Sequence, residues 1–175
     1  TPSSANLLAD IILSDSPDAY WDLNETSGTA ADNQGVVGAA IDGTVIGGAT
    51  LNAGALYING GNSIDFDGVN DGISIPDDNS INTATTAART VELVFDADNV
   101  TNRQVLYEEG GATNGFTIYL DGGNLYITGE DDGEWADANI NAAVSTGTTY
   151  HVAFVFDQAN DSFTGYLDGV DIGSV

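Results

Sequence analysis

Apolar and polar positions alternate with a period of two through much of the chain. This is the pattern of strands with one face turned inward. The clearest runs are residues 90–95, 103–108, 115–120, 124–128, 149–156 and 162–167, all rich in β-branched and aromatic side chains. Shorter runs at 20–23, 44–46, 56–58, 63–66 and 72–75 are separated by Gly, Asn and Asp. Those residues punctuate turns, so the density of short strands predicts a sandwich or barrel. Asp121-Gly122-Gly123 predicts a tight hairpin, and residues 158–161 link another strand pair. Only residues 5–13 have a helical look, and Pro17 limits that segment to one or two turns.

Sorting faces by parity places Phe116, Ile118 and Leu120 on one side of their strand, with Thr117 and Tyr119 on the other. In the next strand Leu125 and Ile127 point one way, and Tyr126 and Thr128 the other. The hairpin therefore presents a Thr/Tyr surface. Strand propensity alone would fill a solvent face this way. The same surface also suits a ligand, because rings stack and hydroxyls hydrogen-bond.

Length suggests a single domain over residues 1–175 with enough apolar content for a real core. Charge changes the picture more. Two basic side chains stand against 27 acidic ones, for a formal net charge of −25. Most carboxylates have no cationic side chain to pair with, and such a field repels phosphates and anionic lipids. Nucleic acid is excluded as a partner, and so is membrane insertion. The chain has no cysteine, which removes disulfides, thiolate metal sites and cysteine nucleophiles.

Three segments in order resemble the laminin G-like domains of the concanavalin A-like superfamily in their bacterial form. They are Asp18-Ala19-Tyr20-Trp21-Asp22-Leu23 with the loop to Asp32, then Ser63-Ile64-Asp65-Phe66-Asp67-Gly68 running to Pro76, then Thr149-Tyr150-His151-Val152-Ala153 running to Asp157 and followed by Tyr166-Leu167-Asp168-Gly169. The resemblance implies an all-β, antiparallel two-sheet jelly-roll sandwich. It also implies further strands beyond the Asp168-Gly169 turn, so an incomplete chain, a strand supplied elsewhere or a domain split after residue 175 all stay open.

Candidate chemistry follows from charge and resemblance together. Oxygen-rich loops suit a hard cation, and calcium is the expected cofactor. Asp65, Asp67, Asn70 and Asp71 form the densest such loop, with Asp32 in a second. Similarity to pentraxins carries over only Asn114 as a ligand residue. Around it Tyr107, Glu109, Tyr119, Tyr126 and Trp135 are candidates for the binding surface. Glu130, Asp132 and Glu134 have the spacing of a glycosidase family on this superfold, and on one strand face would supply the carboxylate pair of a retaining hydrolase. With Asp131 and Gly133 between them the run reads as a solvated loop, so catalysis is not expected. The single His151 reads as a structural strand residue. The expectation is a non-catalytic module of a large bacterial adhesin or surface protein, outside the cell. It would bind a glycan or protein ligand beside neighbouring domains. The alternatives are a scaffold split by an inserted domain and, more remotely, a glycoside hydrolase.

Overall fold

The computed structural model describes residues 7–57, 61–111, 114–131 and 139–175. They form two compact units, residues 1–81 and 82–175. No helix among them is long and apolar enough to cross a membrane.

The first unit opens with α1 (Leu7–Ser14) and continues as short strands β1 (Ala30–Ala31), β2 (Gly43–Ile46), β3 (Thr50–Leu51), β4 (Ile64–Asp65) and β5 (Gly72–Ser74). β1, β2 and β5 make one antiparallel sheet, and β3 pairs with β4 in another. Ala31, Val45 and Ile64 are buried together, with Trp21, Leu23, Leu51 and Ile73 packed around them.

Two expected strands are corrected here. Residues 20–23 make only a single bridge, Trp21 to Asn33, because the Asn33 side chain takes the Tyr20 amide and Leu23 turns to a φ of 53°. Leu56 and Tyr57 lie in a bend, while Ile58 is outside the described residues; β3 forms earlier instead. The buried Asn33 organises this region. Its Oδ1 accepts from Tyr20 N–H at 2.7 Å and Gly35 N–H at 3.0 Å, and its Nδ2 donates to the Gly38 carbonyl at 3.0 Å. Gly35 must be glycine, since a Cβ there would lie 2.5 Å from the Asp18 carbonyl oxygen.

The second unit contains β6 (Ala88–Asp96), β7 (Gln104–Gly110), β8 (Asn114–Asp121), β9 (Asn124–Asp131), β10 (Asn139–Ala143), β11 (Thr149–Asp157), β12 (Ser162–Leu167) and β13 (Val170–Ser174). They form two antiparallel four-stranded sheets, ordered β10-β9-β8-β7 and β13-β12-β11-β6. The expected all-β antiparallel sandwich is what the chain adopts. Ile118, Leu120, Leu125 and Ile127 from one sheet are buried with Val152, Phe154 and Phe163 from the other. Across the interface the Phe116 ring lies 5.0 Å from Phe154 and stacks on Phe163 at 5.7 Å. Close approach requires a missing side chain at Gly165, where a Cβ would sit 2.9 Å from both Ile127 and Ile140.

Turn chemistry matches the residues. Gly122 and Gly123, at φ 58° and 84°, close the hairpin that pairs Asp121 with Asn124. Asp157 caps the 3-10 turn Gln158–Asn160 by accepting two main-chain amides. β10 and β13 were not expected: Asn-Ile-Asn-Ala-Ala and Val-Asp-Ile-Gly-Ser carry too few β-branched or aromatic residues to signal strands alone.

Candidate functional site

The site is built on the outward face of the β10-β9-β8-β7 sheet. Buried Ile118, Leu120, Leu125 and Ile127 fix which face is inward, so the intervening residues must point out. Register then aligns Glu108, Thr117, Thr128 and Asn139 in one row across all four strands. Two residues further along, Glu130 pairs with Gly115 on the same face. Together these residues, with Gly111, Gly115 and the main chain of Gly129, line a depression of about 250 Å³. Two threonine hydroxyls, an amide and two carboxylates thus surround one shallow polar groove.

Next to it, Tyr119 and Tyr126 stack with centroids 4.9 Å apart and planes 10° from parallel. The Arg103 guanidinium carbon lies 5.4 Å from the Tyr119 centroid. Arg103 comes from the β7 side of β8 and Tyr126 from the β9 side, so Tyr119 has a partner from each neighbouring strand side. Arg103 is held in place by Nε and Nη2 bonds to Asp121 Oδ2 at 3.0 and 2.7 Å. That bond and the Asp121 charge raise the Arg103 pKa further above its ordinary value.

The six expected ligand residues do not form one group. Tyr119 and Tyr126 do share the outward face. Tyr107 and Glu109 face inward instead, paired with Ile118 and Phe116 of the core side. The cause is a bulge between Val105 and Tyr107, which adds one residue and inverts the parity of everything after it. Glu109 Oε2 accepts from the Tyr107 hydroxyl at 2.5 Å and from Arg89 Nη1 at 2.6 Å. The Arg89 and Glu109 side chains are only 11% and 6% exposed, so this is a buried inter-sheet ion pair. Burial first, then the Glu109 carboxylate, push the Tyr107 pKa far above its ordinary value. Asn114 opens β8 with the inward parity and pairs with Asp131. Trp135 lies outside the described residues.

Glu130 and Asp131 belong to β9 and not to the expected loop, and Glu130 is exposed; Asp132 and Glu134 are outside the described residues. His151 sits in β11 with its Nε2 2.9 Å from Glu92 Oε2, an exposed cross-strand pair.

The expected calcium ligands lie in the first unit. Residues 66–71 connect strands of two different sheets rather than closing a hairpin. There Asp67 Oδ1 accepts from Val69 N–H at 2.8 Å, and Asp71 Oδ2 accepts from Asp67 N–H at 3.0 Å. Asp65 is a strand residue opposite Thr50, and Asn70 donates to the Gly47 carbonyl. Asp32 is exposed, its amide bonded to Glu25 Oε1. Among the described residues no three acidic or histidine side chains are grouped to hold an ion.

Two tyrosines in the first unit carry altered acidity. Burial, then the Asp22 carboxylate, then Tyr57 push Tyr20 up to about 12. Tyr57 is raised by burial and by Asp22.

Sequence reasoning missed Glu108 and Asn139 in the groove. Once β10 and the bulge are known, ordinary register identifies both. A family model described as the concanavalin A-like lectin/glucanases superfamily matches residues 67–175. No curated protein and no solved structure matches the chain.

Proposed function

Because the chain belongs to the laminin G-like part of the concanavalin A-like lectin/glucanases superfamily, we propose that it is a non-catalytic glycan-binding module of a bacterial adhesin or surface protein. It works outside the cell, where dissolved salt screens its charge of −25. The observation that carries this reading is the row Glu108-Thr117-Thr128-Asn139 lining a groove on a rigid sheet.

The lining matches a polyhydroxylated ligand. Each threonine hydroxyl donates once and accepts twice, Asn139 donates and accepts, and the carboxylates accept from sugar hydroxyls. At about 250 Å³ the groove is at the small end for ligand sites, suiting one sugar unit within a chain. Backbone placement on paired strands keeps these groups in register without a ligand.

A glycan array probed with the wild-type protein and with Thr117→Val/Thr128→Val tests the reading. Retained fold with at least tenfold weaker glycan binding by the variant is expected. Absence of any glycan signal, or a signal that the double variant leaves intact, overturns it.

A further inference from the structure

We propose that the groove selects sugars bearing a protonated amine, glucosamine units being the simplest such chemistry; this rests on the glycan-binding reading above. Glu108 and Glu130 are both exposed, both contribute to the groove, and stand on opposite sides of β8. They flank Thr117 and Thr128, which gives acceptors for an ammonium beside groups for the ring hydroxyls.

Among the described residues neither is in an ion pair with a cation of the protein. Arg89 is engaged by Glu109, Arg103 by Asp121 and His151 by Glu92. The chain has no lysine. Both carboxylates lie on one face of an acidic protein, and a ligand ammonium offsets that charge while gaining charge-assisted hydrogen bonds. A neutral sugar makes the hydroxyl contacts but leaves the charges uncompensated. An anionic sugar adds repulsion. The groove thus discriminates by charge more than by shape, which a shallow site of this size cannot supply.

Calorimetric titration at pH 6 in 150 mM salt, with a glucosamine tetramer, its fully N-acetylated counterpart and tetralysine as probes, separates the outcomes. The amine tetramer is expected to bind at least tenfold more tightly than the acetylated one. Glu108→Gln/Glu130→Gln should remove that preference. Equal affinity for both tetramers overturns the amine selectivity while the glycan-binding reading stands. Binding of neither tetramer overturns the selectivity, and the array with the threonine variant decides the reading separately. Tetralysine binding as tightly as the glucosamine tetramer, or a preference that survives the double glutamine variant, shows general attraction to the acidic surface and also overturns it.

Discussion

Asp168 closes the end of β11 at His151 from two sides. Its Oδ1 accepts the His151 N–H at 2.8 Å, and its own N–H donates to the His151 carbonyl at 2.7 Å. The pairing extends the ladder one step beyond Val152–Leu167. It also explains why an Asp-Gly turn follows a His-Val-Ala strand: Asp168 supplies the acceptor and tolerates its φ of 51°, and Gly169 takes a φ of 75°. Replacing Asp168 by Ala loses the side-chain bond and strains the turn, costing about 1 kcal/mol. Asp168→Asn keeps an acceptor and the left-handed tolerance. Chemical denaturation should show a lower midpoint for the alanine variant and a smaller change for asparagine.

The Arg89–Glu109 pair gives an asymmetric result on mutation. Glu109→Ala leaves a buried guanidinium without its carboxylate and should cost about 3 to 5 kcal/mol. Replacing both residues by apolar ones of similar volume should be far less costly, because the desolvation of both charges disappears with them. A double-mutant cycle by urea unfolding measures this. Equal destabilisation by the single and double variants would show that the pair does not behave as a coupled buried unit.

Alkaline stability follows from the tyrosines. The folded-state pKa of Tyr20 is raised to about 12 from an ordinary 10. The folded protein therefore holds this proton more tightly than the unfolded chain. Its contribution to stability is full below about pH 10 and is lost as pH rises toward 12. Tyr107 shifts in the same direction. Melting temperature should fall above pH 10, and the phenolate absorbance should rise in step with unfolding. Tyr20→Phe should flatten the decline.

With a charge of −25 the folded state repels itself. Melting temperature should rise as sodium chloride is added from low ionic strength and level off once the screening length falls well below the molecular dimensions. Calcium and magnesium at matched concentration should give equal shifts where screening alone acts. A rise specific to calcium, saturating and reversed by chelator, would establish a dedicated site.

How far the sequence could be read depended on local pattern. Ile118, Leu120, Leu125 and Ile127 announce their inward face because nothing interrupts their alternation, and all four are buried. Tyr107 and Glu109 escaped because a bulge is a register event between two strands, with no marker in the strand that bears it. β10 escaped because Asn139-Ile140-Asn141 owes its extended form to pairing with β9 and to the burial of Ile140 alone. The loop carboxylates illustrate a related ambiguity. Asp67 and Asp71 cluster in sequence, but their oxygens accept main-chain amides within the loop. Asp and Asn make such turns as readily as they bind ions.

The two arginines carry a final consequence, for proteolysis. With no lysine in the chain, a trypsin-like protease has only the bonds after Arg89 and Arg103 to attack. The first lies inside β6, with its side chain shut between two sheets; the second stands one residue before β7, its exposed side chain tethered to Asp121. A protease needs an extended, accessible segment, so the bond after Arg103 yields to local opening and the bond after Arg89 only to loss of the sandwich. The fragments released would therefore time two different openings of the same fold.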